Sequence, residues 1–223
     1  MQHANMQYEH SCYIYPMQTK TWSGNFGQEY TDRNLLTLAD MEKLYLRNFG
    51  KTRTEMNEEI LHDIQKDIRV LEVGCNVGIQ LLCLQNIGFK NLYGIELQPY
   101  AVELSKSRTK SINIIQGSAF DIPFKDAYFD LVFTSGLLIH ISPNHIQAVL
   151  EEIHRCTSRY IWGFEYYSDE YTEIEYRGKK NLLWKTNFAQ LFLDNFADLH
   201  LIRREKYKYI GNDNTDEMYL LGT

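Results

Sequence analysis

The chain has 223 residues, a length that fits one α/β unit with an ordinary core, and its net charge of -6 argues against a broad nucleic-acid footprint, which needs a concentrated basic face. Four scattered cysteines, Cys12, Cys75, Cys83 and Cys156, form no Cys-x-x-Cys pair and have no histidine at zinc spacing. No run approaches the roughly 18 apolar residues of a membrane span and no basic-then-apolar leader is present, so a soluble protein of a reduced, cytoplasmic compartment is expected, without membrane partners.

Residues 1 to 20 are polar and aperiodic, with Pro16, and read as a loosely docked tail. An aromatic stretch broken by Gly24 and Gly27 follows, and residues 1–34 together make a tail and lid segment ahead of a single domain over 35–223. Tyr30, Arg33 and Asn34 are polar at helical spacing and are placed to close over a ligand's carboxylate, for which a guanidinium fork is well suited. Apolar periodicity predicts a helix over 35–49 ending at Gly50, and a second over 54–64 with Thr54 as its cap. A strand over 68–73 leads to Gly74, then a helix over 78–86, a strand over 91–96, and a helix that Pro99 opens. A third strand covers 112–116, a fourth 131–134, and a fifth 159–165, with a helix capped by Ser142 over 143–156 before the fifth. A helix over 184–196 and two strands, 200–209 and 217–221, close the chain as an antiparallel hairpin around Gly211-Asn212-Asp213-Asn214. This order implies an open, mainly parallel α/β sheet with helices on both faces, one reversed strand at its end, and ligands beyond the carboxyl ends of the strands.

Gly74 and Gly78 frame a loop that turns sharply and admits a flat ligand closely. Glu96 ends the second strand 22 positions after Gly74, the separation at which a carboxylate reaches a ribose diol in a βαβ nucleotide site. A dinucleotide site wants a glycine where this chain has Asn76, and Glu72 just before the turn would repel a pyrophosphate. S-adenosyl-L-methionine carries an ammonium and a sulfonium and no phosphate, and it suits Glu72 and Glu96 better. Its product would be S-adenosyl-L-homocysteine. The rival readings are a nicotinamide-dependent oxidoreductase and a non-catalytic module that only binds S-adenosylmethionine.

The motif residues resemble a known family. Val70 to Gly78, Gly94-Ile95-Glu96, the 117–124 segment from Gly117-Ser118-Ala119 to Pro123-Phe124, and Phe129-Asp130-Leu131 to Ser135 are similar to the successive motifs of class I S-adenosylmethionine-dependent methyltransferases. The resemblance implies a Rossmann-like, doubly wound sheet of seven strands, mostly parallel with the last strand antiparallel. It also implies cofactor contacts from Tyr30, Arg33, Glu72, Gly74, Cys75, Asn76, Gly78, Glu96, Leu97, Ser118, Ala119 and Ser135. Many relatives have an acidic residue where this chain has Ser118, so the adenine amino group falls to Ser118 or Asp121, and the Ala119 amide meets a ring nitrogen.

Trp22 with Phe26-Gly27-x-x-Tyr30-x-x-Arg33-Asn34, the 160–167 run, Tyr176-Arg177-Gly178 and the 181–185 run resemble, more narrowly, methylases associated with pseudaminic acid biosynthesis in bacterial surface glycans. That likeness implies a small sugar-type acceptor, a sugar or sugar nucleotide, methylated on O or N. Methyl transfer needs alignment and the loss of one acceptor proton. His140, at the catalytic edge after the fourth strand, is the first candidate base, against a purely packed histidine. Glu165 is the rival base or an acceptor-orienting carboxylate. Asn34, Tyr166, Tyr176, Arg177 and Lys185 are candidate acceptor contacts; Tyr176, Arg177, Lys179, Lys180 and Lys185 form a basic patch suited to a phosphate or carboxylate, or simply a solvated loop. Ser135 stands where a metal-dependent relative would need a carboxylate, so no metal is expected, and the sequence favours neither monomer nor homodimer.

Overall fold

A computed structural model describes residues 17–223. The expectation for the first 16 residues, and Cys12 with it, lies outside the described residues. The elements in order are α1 (Met17–Ser23), α2 (Asn25–Arg33), α3 (Leu38–Phe49), α4 (Arg53–Leu61), β1 (Arg69–Val73), α5 (Ile79–Asn86), β2 (Asn91–Glu96), α6 (Pro99–Arg108), β3 (Ile112–Gln116) and β4 (Phe129–Ser135). A 3-10 turn (Leu138–His140) follows, then α7 (Ile146–Cys156), β5 (Thr157–Tyr166), β6 (Thr172–Glu173), β7 (Trp184–Lys185), α8 (Phe188–Asn195), β8 (His200–Lys208) and β9 (Thr215–Gly222).

Seven strands form one sheet in the order β3-β2-β1-β4-β5-β9-β8. The first five run parallel, and β9 is antiparallel to both neighbours. The chain winds outward from β1 to β3 and then returns to β4 on the other side of β1, so the strand order reverses between β1 and β4. A crevice opens at such a reversal, beyond the carboxyl ends of the strands.

Side chains alternate across the sheet. Leu71 and Val73 of β1 join a core with α7 and α8 that includes Val149, Leu150 and Phe192, while Val70 joins the opposite core with Met56 and Ile60 of α4 and Leu81 of α5. By the same alternation Glu72 falls on the α4 side, where Arg53 waits. Among the described residues no helix is long and apolar enough to cross a membrane.

Several boundaries differ from the sequence expectation, each for a local reason. Thr52 rather than Thr54 caps α4, in a reciprocal box with Glu55, and Thr54 instead hydrogen-bonds Glu42. Ser142 gives no side-chain cap to α7, which starts at Ile146; its carbonyl accepts from the Ile146 amide at 3.0 Å. Trp184–Lys185, expected to open a helix, pairs with Thr172–Glu173 as a small ribbon, and α8 begins after Asn187, whose side chain accepts from the Gln190 amide at 3.0 Å. The reversed strand β9 sits one position in from the edge, and β8, with its basic residues, forms the edge. Residues 17–33, read as tail and lid, form two helices.

Candidate functional site

The glycine turn is built from left-handed residues. Gly74, Asn76 and Gly78 have φ of 75, 46 and 78°. Asn tolerates that region better than other side chains, so the loop keeps its shape without the middle glycine. A Cβ on Gly74 would lie 2.7 Å from the end of the Leu137 side chain, which would have to shift, and the positive φ itself favours glycine there. The amides of Gly74 and Cys75 both donate to the Ile95 carbonyl, at 2.9 and 3.0 Å, tying the turn to β2. Glu96 is then fixed from both sides: Asn76 and Gln98 each donate a backbone N–H to it at 2.8 Å. Burial raises its pKa, while those amides pull it back down.

Glu72 is 2% exposed, and its Oε2 has no hydrogen-bond partner among the described residues. Burial holds its pKa well above the ordinary carboxylate value, with Arg53 opposing and Glu96 reinforcing the shift. The Arg53 guanidinium, wholly buried, lies 4.4 Å from the Phe164 ring centre and 5.2 Å from that of Tyr45, and donates to Ser135 Oγ at 3.4 Å. Arg53 escaped the sequence reading. The signal for it was Arg53-Met56-Asn57-Ile60, one helix face with two polar members, all four of which are buried.

At the other end of the cleft His140 is buried, with Nδ1 2.7 Å from the Leu182 carbonyl. A carbonyl can only accept, so Nδ1 carries the proton and Nε2 keeps its lone pair. Burial lowers the pKa to about 4, so the ring is neutral at physiological pH. The Trp22 ring packs on it at 4.4 Å, with Tyr176 at 5.5 Å. Glu165 accepts the Leu137 amide at 3.2 Å and the Ile139 amide at 3.4 Å, one on each oxygen, and so holds the turn that carries His140. Burial raises its pKa to about 7.

Helices α1 and α2 roof this cleft. Gln98 Nε2 donates to the carbonyls of Trp22 (3.3 Å) and Gly24 (2.9 Å), and Tyr100 donates to Asp32 at 2.8 Å. Gln18 Nε2 donates to the carbonyls of His140 (3.3 Å) and Asn181 (3.2 Å), and Gln18 Oε1 accepts the Ser142 amide at 3.3 Å.

The cleft has a volume of about 400 Å³. Tyr30, Asn34, Glu72, Gly74, Cys75, Asn76, Glu96, Leu97, Ser118, Ala119, Ser135, His140, Glu165, Tyr166 and Tyr176, all singled out from sequence, line it. Arg33, Gly78, Arg177 and Lys185 do not line it. Arg33 pairs with Glu29 at 3.8 Å, Gly78 packs against Ile114 and Thr109, Arg177 is exposed, and Lys185 donates to Asn214. Asp121 is exposed and outside the lining, leaving Ser118 at that end. Asp216 and Tyr209 line the cleft without having been anticipated. Among the described residues no group of three or more His, Cys, Asp or Glu is placed to hold a metal ion.

A seven-stranded sheet with a reversed β9, a glycine turn after β1 and an acidic end to β2 define the class I methyltransferase fold. Residues 71–159 match the family model described as methyltransferase domain. An uncharacterized methyltransferase of Synechocystis is 31% identical over 87 residues, 39% of this chain and 41% of that protein. A demethylmenaquinone methyltransferase of Staphylococcus epidermidis is 28% identical over 143 residues, 62% of this chain and 55% of that protein. The chain thus spans about half the length of the curated relatives it matches. Among solved structures, a Burkholderia thailandensis 1,6-didemethyltoxoflavin-N1-methyltransferase with bound S-adenosylhomocysteine superimposes with a TM-score of 0.64, covering 89% of this chain and 88% of that one at 12% identity. Residues 71–159 are thus similar to methyltransferase domains, and the sheet has the fold of solved S-adenosylmethionine-dependent methyltransferases.

Proposed function

We propose that the protein is an enzyme that moves a methyl group from S-adenosylmethionine to an oxygen or nitrogen of a small polar acceptor, a sugar or sugar nucleotide of a bacterial surface-glycan pathway, in the cytoplasm. The observation that carries this reading is Glu72, a buried carboxylate with an unpartnered oxygen beside the glycine turn of the cleft. A cationic amino group suits it, and a phosphate does not. On this reading Glu72 holds the donor's ammonium, Glu96 accepts from the ribose hydroxyls, and Ser118 with the Ala119 amide meets the adenine edge. Glu96 can do so while bound to two amides, because each carboxylate oxygen has a second lone pair. When bound, the donor supplies a methyl on a positively charged sulfur that leaves neutral.

The chain's own work is alignment and proton removal. His140 Nε2, with Nδ1–H pinned on Leu182, is oriented to take an acceptor proton, and Glu165 fixes the turn that aims it. Helices α1 and α2 act as the lid of a domain spanning 35–223, excluding water once both substrates are in. The sugar reading draws support from Trp22, Tyr30, Tyr166 and Tyr176, aromatic walls with polar tips that suit a hydroxyl-rich ring. Incubation with labelled adenosylmethionine and a bacterial metabolite extract, followed by mass analysis, tests it. A methylated sugar or sugar nucleotide is expected, and exclusive labelling of a lipid or a quinone contradicts the acceptor class.

A further inference from the structure

The acceptor end of the cleft contains a carboxylate that the roles above leave unused. Asp216, on β9 directly opposite Tyr166 of β5, is 3% exposed and lines the cavity. Its Oδ2 accepts the Tyr209 hydroxyl at 3.1 Å, and its buried Oδ1 has no hydrogen-bond partner among the described residues. Burial pushes its pKa up to about 8, with Glu165 adding repulsion.

The cations within electrostatic reach are Arg53 and Lys185. Both are committed elsewhere. Arg53 is stacked against Phe164 and Tyr45 and bonded to Ser135, and Lys185 is bonded to Asn214 and sits 5.5 Å from the Tyr166 ring centre. The cleft lining itself holds Glu72, Glu96, Glu165 and Asp216, and no Lys or Arg among the described residues. Glu72 and Glu96 serve the donor, and Glu165 has an amide on each oxygen. An unfilled acceptor oxygen in an acidic, buried pocket therefore calls for a hydrogen-bond donor that brings positive charge.

We propose that Asp216, framed by Tyr209 and Tyr166, anchors a protonated amino group of the acceptor, so that the substrate is an amine-bearing polar molecule. This rests on the methyltransferase reading above and narrows its acceptor. Asp216 is a specificity-determining residue: it fixes one end of the acceptor while His140 faces the atom to be methylated. A bare hydroxyl in the same place would bring no positive charge to hold the carboxyl ionised in this buried, acidic pocket. An acylated nitrogen would bring bulk and no charge. Both are disfavoured by the same pocket.

The unmethylated parent of the labelled product from the extract assay is isolated and treated with an amine-selective succinimidyl ester. It is expected to react, and its acylated form to lose substrate activity. With that parent as substrate, Asp216→Asn should raise KM by roughly 10- to 150-fold, the range for losing a charge-assisted hydrogen bond. Calorimetric affinity for adenosylhomocysteine should stay within about twofold, as for an independent site. Glu217→Gln is the control. Its carboxylate lies outside the cleft lining, 3.2 Å from Arg204, and KM should stay within about twofold.

A parent without an amino group overturns the inference and leaves the methyltransferase reading standing. So does an unchanged KM in Asp216→Asn. If Asp216→Asn fails to fold, the chemistry of the parent decides alone. Tight adenosylhomocysteine binding with no methylated product from extracts overturns the methyltransferase reading, and this inference with it.

Discussion

Replacing Glu72 with Gln should stabilise the ligand-free protein and weaken donor binding together. The carboxyl is 2% exposed, and burial holds its pKa well above 4.5. As pH rises above 4.5 folding therefore carries a penalty for a group that is ionised in the unfolded chain, at about 1.4 kcal/mol for each pH unit by which the folded pKa lies above the unfolded one. The sign follows from the raised pKa: the stability is whole below about 4.5 and is lost as pH rises. Gln carries no such loss. Its advantage should be absent near pH 4.5 and grow as pH rises to 7, each kcal/mol gained raising Tm by about 2 to 4 °C for a domain of this size. Calorimetry with adenosylhomocysteine should in turn show Kd rising roughly 10- to 150-fold, because the ligand's ammonium loses a charged acceptor. Thermal unfolding at the two pH values and one titration suffice. A Gln variant that melts lower than wild type at pH 7 and binds the ligand as tightly would refute the reasoning, since Glu72 would then be a satisfied structural group.

The remaining predictions follow from the other end of the cleft and from its roof. His140→Gln should lower kcat by roughly 100-fold or more while adenosylhomocysteine affinity holds, as for loss of a general base; unchanged turnover returns His140 to a packing role. Burial sets the His140 pKa at about 4 in the ligand-free protein, so the acid limb of the kcat/KM profile should fall near pH 4 rather than near 6.5, and a limb at 6.5 contradicts a buried, neutral ring. Glu165→Gln should flatten the loss of stability that wild type shows as pH rises from 4.5 to about 7, a span of roughly 3 kcal/mol, and denaturant melts across that window check it. Gly27→Ala would place a Cβ 1.8 Å from the Trp22 carbonyl oxygen, so α1 and α2 must part. The variant should lose roughly 1–3 kcal/mol and be cut faster by protease within residues 17–33, and native-like resistance there argues against the roof contacts.

The donor end was legible because its determinants are neighbours in sequence. Val70 to Gly78 carries a strand, the glycine turn and Glu72 in nine residues, and Glu96 follows at the spacing of a βαβ unit. The rest of the cleft is assembled from distant pieces. Arg53 meets Ser135 across 82 positions, and Gln18 meets His140 across 122, which no local pattern encodes. Asp216 was hidden for another reason. Strand β9 lies inside the sheet between β5 and β8, so its polar residues are buried although a chain-terminal hairpin suggests an exposed edge. The Trp184 ribbon was mistaken for a helix because aromatic and apolar residues at 184, 188, 191 and 192 satisfy helical spacing, while Asn187 marks the true start. In the roof, Gly24 and Gly27 read as breaks in an aromatic lid segment, yet Gly27 lies within α2, where only a residue without Cβ lets Trp22 approach.

The central claim is that the cleft between β1 and β4 takes S-adenosylmethionine. Calorimetric titration of the protein with adenosylhomocysteine, and separately with NADH, tests it most directly. The account predicts one adenosylhomocysteine bound per chain, abolished or strongly weakened in Glu72→Gln, and no heat from NADH. Saturable NADH binding without adenosylhomocysteine binding would contradict it.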